Sequence, residues 1–246
     1  MKGIDLSEPI AIIGLGGMFP GAADVPAFWR NILDKRNSIA EVPSDRWDWR
    51  LYYDPDPAAP DKTYCKIGGF IPPFPFDAQA LGIPAPAAEQ MDGVQKMALA
   101  AASQALRDSG YDRKPFDRAR TAVVLGNSYG GLKNEMSALR VFVPFFERRL
   151  SDGSAFAGLP ESVRRMILSE FTAGVRASLP PITADSLPGW LSSLITGRVA
   201  NALDLNGVNF TMDAACASAL AALDWAVKGL RLREYDMVLS GAVDRR

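Results

Sequence analysis

The chain has 246 residues, 48% of them hydrophobic, enough to bury a large core as one large domain or two small ones. Its 27 basic and 28 acidic side chains nearly cancel and form no basic block longer than short pairs, which argues against nucleic acid as the main partner. Histidine is absent and the two cysteines, Cys65 and Cys216, lack the spacing of a zinc ribbon or a Cys-x-x-Cys motif. No metal site is therefore expected, and two unbridged thiols fit a reducing, cytoplasmic compartment. No apolar run reaches the length of a membrane span, and the apolar stretch 10–23 follows Asp5 and Glu8 where a signal peptide would carry basic residues.

In chain order, "EPIAIIGLGG" at 8–17 reads as a buried strand entering a glycine turn. A helix is predicted at 25–35. Residues 40–90 are so rich in proline and aspartate that long regular elements are not expected, yet Trp47, Trp49, Tyr52 and Tyr53 favour an ordered excursion over a flexible arm. Val94, Met97, Ala101 and Leu106 recur at helical intervals in 91–110, which closes on Gly110. "TAVVLG" at 121–126 is a second buried strand, and 131–150, 160–178 and 188–207 read as helices. "VNFTMD" at 208–213 alternates as a strand, with Val208, Phe210 and Met212 on one side. From about Cys216, the residues Leu220, Leu223, Val227 and Leu230 line one side of a helix that breaks near Arg233, before a last strand in "DMVLSGAV". Strands alternating with helices predict an α/β layered sheet.

"DAACASAL" at 213–220 thus falls where a strand hands over to a helix. A side chain there meets the helix's first amides, which carry partial positive charge and favour an anion such as a thiolate. The small neighbours Ala214, Ala215, Ala217, Ser218 and Ala219 would leave the sulfur accessible. Local pattern equally allows a small buried core cysteine, since free cysteine is among the most buried residue types. "GLGGMF" at 14–19 imitates a dinucleotide fingerprint, but Phe19 occupies the third glycine position. "GNSYGG" at 126–131 could shape a pocket or be an ordinary glycine turn, and Cys65 reads as a packing or surface residue.

"EPIAIIGLGGMFPGA", "FWRNILDKRNSIAEVPSDRWDW", "YYDPDPAAPDKTYCKIGGF" and "DAACASAL" together resemble the β-ketoacyl synthase domains of type I polyketide and polyunsaturated fatty acid synthases. The resemblance runs from residue 8 to 244 and implies a thiolase-like α/β fold, of which residues 1–246 would be the N-terminal half of the layered αβαβα domain. It implies that Cys216 accepts an acyl chain from the phosphopantetheine arm of an acyl carrier protein, ahead of decarboxylative condensation with a malonyl-type extender. Tyr129 falls where relatives line the acyl pocket. No cofactor is expected on the chain itself, since the substrates ride on the carrier. The implied partners are the acyl carrier protein, a second copy in a homodimer and the C-terminal half of the domain, which carries the family's two histidines and lysine. Without that half, the chain is expected to accept an acyl group and not to condense.

Two departures mark a divergent branch: Ala214 replaces a common threonine, and Gly93-Val94 replaces the usual Pro-Gln in "MDGVQK". A non-condensing partner like a chain-length factor is the alternative, and Cys216 argues against it because such relatives lose the nucleophile. Another thiolase-fold enzyme acting on coenzyme A thioesters is disfavoured by the "YYDPDP" and "FWRNIL" segments.

Overall fold

The computed structural model describes residues 8–245. In chain order its elements are α1 (Val25–Leu33), β1 (Ile39–Glu41), β2 (Ile67–Gly69), α2 (Ala85–Gln90), α3 (Gly93–Asp108), β3 (Thr121–Gly126), α4 (Leu132–Val141) and α5 (Val143–Ser151). They continue with α6 (Ser154–Ala157), α7 (Glu161–Ser178), α8 (Ser186–Trp190), α9 (Ser193–Ala202), β4 (Asn209–Met212), α10 (Ser218–Arg231) and β5 (Met237–Ala242). One-turn 3-10 helices occupy Trp49–Leu51 and Ala215–Ala217. The described residues form two compact units, one of 8–10, 77–99 and 117–245, the other of 11–76 and 100–116.

The smaller unit starts α1 with a cap: Asp24 Oδ1 accepts the Ala27 N–H at 2.7 Å, and Pro26 sits in the first turn where its missing N–H costs nothing. β1 and β2 pair antiparallel, Ala40 opposite Gly68. Between them the proline- and aspartate-rich stretch is ordered by aromatic packing. Trp47 meets Tyr52 edge-on at 5.6 Å, Trp49 meets Tyr53 at 5.5 Å, and the Lys66 ammonium lies 4.2 Å from the Trp49 ring centre. The strand expected at 8–17 does not form. Leu15 N–H donates instead to Asp108 Oδ2 at 2.8 Å and Gly17 N–H to Gln104 Oε1 at 3.0 Å, so α3 side chains take the amides that a sheet partner would have used. A β-carbon at Gly14 or Gly16 would collide with the carbonyls of Ala105 or Ala101, which explains the glycines and leaves Ile12 81% exposed.

The larger unit is built on a three-stranded parallel sheet in the order β4-β3-β5. β3 is central, and Ala122, Val123 and Val124 are fully buried, as a strand covered on both faces requires. Met91, Val94, Leu99, Ile195 and Val199 complete this core. The helix predicted at 131–150 breaks at Phe142 into α4 and α5, with Pro144 in the first turn of the second. The one predicted at 188–207 becomes α8 and α9, separated by the extended Leu191. α10 buries Ser218, Ala222, Ala226 and Gly229, not the leucine stripe. Small residues let its backbone approach the sheet, while Leu220 and Leu223 point outward at 72% and 49% exposure.

Candidate active site

The C-terminal ends of the three parallel strands meet at Gly126, which pairs with Met212 on one side and Ala242 on the other. Ligand sites of open α/β sheets gather at this edge. Asn127, the first residue beyond β3, ties all three ends together. Its N–H donates to Met212 O at 3.0 Å and its buried Nδ2 to Val243 O at 2.9 Å, while its Oδ1 accepts the Gly130 N–H at 3.1 Å. The loop then passes through two left-handed residues, Tyr129 at φ 69° and Gly130 at φ 76°. Tyr129 is left 74% exposed above the sheet edge.

Beyond β4 the chain turns sharply. Ala215 adopts φ 49°, a left-handed conformation that costs an L-residue with a β-carbon about 1 kcal/mol or more. Two side chains hold it there. Asp213 Oδ1 accepts the Ala215 N–H at 2.8 Å, and Ser218 Oγ accepts the Ala214 N–H at 2.8 Å while donating to Ala215 O at 2.7 Å. The following 3-10 turn presents Cys216, which is free and exposed, immediately before Ala217, the N-cap of α10. Within this turn Ala217 N–H bonds Ala214 O and Ser218 N–H bonds Ala215 O, so the turn's own hydrogen bonds do not consume the Cys216 N–H.

The loop after β3 reaches this turn through Ser128, whose Oγ donates to the same Asp213 Oδ1 at 2.6 Å. The Ser128 hydrogen bond, with the Ala215 amide second, holds the Asp213 carboxyl below the ordinary carboxylate range. Cys216 and the Tyr129 loop, identified separately in sequence, are thus connected at one sheet edge. Cys65 is exposed too, and its thiol donates to Ile67 O at 3.3 Å in the smaller unit.

Beneath the loop lies a buried polar layer that sequence reading did not single out. Asp92, 2% exposed, caps two helices: Oδ1 accepts the Val94 N–H of α3 at 2.9 Å and Oδ2 the Lys133 N–H of α4 at 2.7 Å. Gln95 donates to Pro188 O at 3.0 Å and accepts from Arg198 Nε at 2.8 Å. Burial lowers the Lys96 and Lys133 amines from their usual value, and for Lys133 the neighbouring Lys96 charge adds to it. Among the described residues no cluster of three or more acidic residues or cysteines could hold a metal ion, and no helix is long and apolar enough to cross a membrane.

Compared with solved structures, the chain superimposes on the oxazolomycin ketosynthase domain of Streptomyces albus with a TM-score of 0.69 at 26% identity, covering 97% of this chain and 35% of that one. The parallel sheet and its cysteine-bearing turn therefore define a thiolase-like ketosynthase fold. The particular family follows from the sequence: residues 7–246 match the beta-ketoacyl synthase N-terminal domain, and the chain belongs to that family. It is 31% identical to a polyunsaturated fatty acid synthase protein of a Thraustochytrium species over 97% of its length. It is 33% identical to a phenolphthiocerol/phthiocerol polyketide synthase protein of Mycobacterium tuberculosis over 98%. The chain spans 8% and 13% of those two relatives.

Proposed function

We propose that residues 1–246 are the N-terminal, nucleophile-bearing part of a β-ketoacyl synthase domain, with Cys216 as the acyl acceptor. The observation that supports this reading is an exposed Cys216 on a braced left-handed turn, at the C-terminal edge of the parallel sheet and just before the first turn of α10. The Cys216 thiolate attacks the carbonyl carbon of an acyl thioester on the phosphopantetheine arm of an acyl carrier protein. A carbon–sulfur bond to Cys216 forms, the carrier's carbon–sulfur bond breaks, and the carrier thiolate takes up a proton in place of the one Cys216 released. In this reading the Cys216 N–H bonds the oxyanion of the tetrahedral intermediate. Tyr129, on the loop joined to the same turn, lines the acyl-chain path.

In the second half-reaction the extender loses carbon dioxide, and its carbanion attacks the acyl-Cys216 carbonyl to give a 3-oxoacyl product and the free thiolate. The 246 residues hold no histidine. We assign that half-reaction to the C-terminal part of the domain, so that this chain alone stops at the acyl-enzyme. The working unit in this reading is a cytoplasmic homodimer served by carrier proteins, with no cofactor bound to this chain. Intact-mass measurement after incubation with an acyl thioester of N-acetylcysteamine should show one added acyl group in the wild type and none in Cys216→Ala. An unchanged adduct in Cys216→Ala would move the nucleophile to another residue, and a wild type that takes up no acyl group would favour a non-condensing partner like a chain-length factor instead.

A further inference from the structure

We propose that Asp213 and Ser128 are positioning residues for Cys216: their hydrogen-bonded pair sets the left-handed turn that presents the sulfur and locks it to the loop carrying Tyr129. This rests on Cys216 being the acyl acceptor. Ala215 at φ 49° is neither glycine nor asparagine, so its backbone does not favour the turn unaided. Asp213 Oδ1 supplies the restraint on the N-terminal side of the turn, through the Ala215 N–H at 2.8 Å. Ser128 supplies the direction: its hydroxyl, 2.6 Å from the same oxygen, fixes the carboxylate on the side of the sheet edge where Asn127 anchors the loop. The residues are 85 positions apart in sequence, so the pair joins two loops that are distant along the chain. Ser218 braces the other side of the turn, but it lies within the same segment and does not link it to the Tyr129 loop.

Both bonds fall on one carboxylate oxygen. The amide oxygen of asparagine has two lone pairs and can accept both, whereas alanine accepts neither. Positioning by hydrogen bonds and an effect of the negative charge therefore separate cleanly. In the full 246-residue chain, the second-order rate constant for acylation of Cys216 by an octanoyl thioester of N-acetylcysteamine would be measured across pH 6–9, together with iodoacetamide alkylation. The exposed Cys65 serves as the internal reference thiol.

Asp213→Ala is expected to lower the Cys216 rate about tenfold at every pH, a scale set by what small misplacements cost in reaction geometry, and Ser128→Ala to lower it several-fold. Asp213→Asn should restore most of the rate, and Cys65 should react alike in all variants. Wild-type rates in Asp213→Ala, or an Asp213→Asn variant as slow as Asp213→Ala, would overturn the proposal. So would a parallel loss at Cys65, since the effect would then not be specific to the turn that carries Cys216. If the wild type is alkylated but never acylated at Cys216, the functional reading fails by itself, and the alkylation rates of the same variants still decide whether the pair positions the sulfur.

Discussion

Gly126 and Ser218 are in backbone contact: a β-carbon built on Gly126 would stand 2.6 Å from the Ser218 Cβ and 2.7 Å from its carbonyl carbon. The end of the central strand therefore seats the first residue of α10, two positions after Cys216. Any side chain at 126 must push the cysteine-bearing turn away from the sheet. Gly126→Ala is expected to destabilise the chain by about 1–3 kcal/mol by overpacking and to slow alkylation of Cys216 relative to Cys65. Urea unfolding together with thiol alkylation measures both, and an unchanged Cys216 rate would show that the turn adjusts freely.

Asp92 closes the first turns of α3 and α4 with its two separate oxygens. Asp92→Ala removes both caps and leaves a cavity beside Gly131, where the carboxylate fills the space a β-carbon would need, so a loss of about 2–4 kcal/mol is expected. Asp92→Asn keeps one acceptor oxygen and should lose about half as much. Equal losses in the two variants, measured by urea denaturation, would mean that the charge rather than the two caps carries the effect.

Acid should expose a second consequence of the site. Hydrogen bonds from Ser128 lower the Asp213 value below its unfolded 3.8, and hydrogen bonds from Arg120 do the same for Asp236. Below about pH 4 the unfolded chain binds more protons than the folded one, so both groups stabilise the fold above that value and lose their contribution as pH falls through the folded-state values. The Asp213→Asn, Asp236→Asn double variant should show a shallower loss of melting temperature between pH 5 and 2.5 than the wild type. Parallel curves would contradict the linkage.

The outward leucines of α10 give a prediction about association. Leu220 and Leu223 are surface-exposed in this chain although they lie on a helix that also packs against the sheet. Exposed apolar area of this kind drives contact with other surfaces. The isolated chain should associate in sedimentation experiments, and Leu220→Glu with Leu223→Glu should shift it toward monomer with little change in unfolding free energy. A wild type that sediments as a stable monomer at high micromolar concentration would contradict this expectation.

How far the sequence could be read depended on how local the determining forces are. The strand "TAVVLG" and the helix stop at Gly110, where φ is 73°, are local patterns, and both stand where the residues predict them. The strand-to-helix junction at Cys216 was legible for the same reason. Residues 8–17 misled because apolar β-branched character describes a strand only when a neighbouring strand takes its amides, and here Gln104 and Asp108 take them. The α10 stripe located the helix, but periodicity marks an apolar face without saying that the sheet takes the small one, Ala222, Ala226 and Gly229. The Ser128–Asp213 pair lay beyond reach: its partners are 85 residues apart, and the only local hint was an aspartate two residues before a turn built of alanines.

The most direct measurement maps the acyl group to a residue. Peptide mass spectrometry of the chain after brief exposure to an acyl thioester should find the acyl group on the peptide containing Cys216 and, at most in trace, on Cys65, even though both thiols are open to solvent. Equal labelling of the two, or labelling of Cys65 alone, would show that the turn at 213–218 confers no special reactivity and would remove the basis for Cys216 as the acyl acceptor.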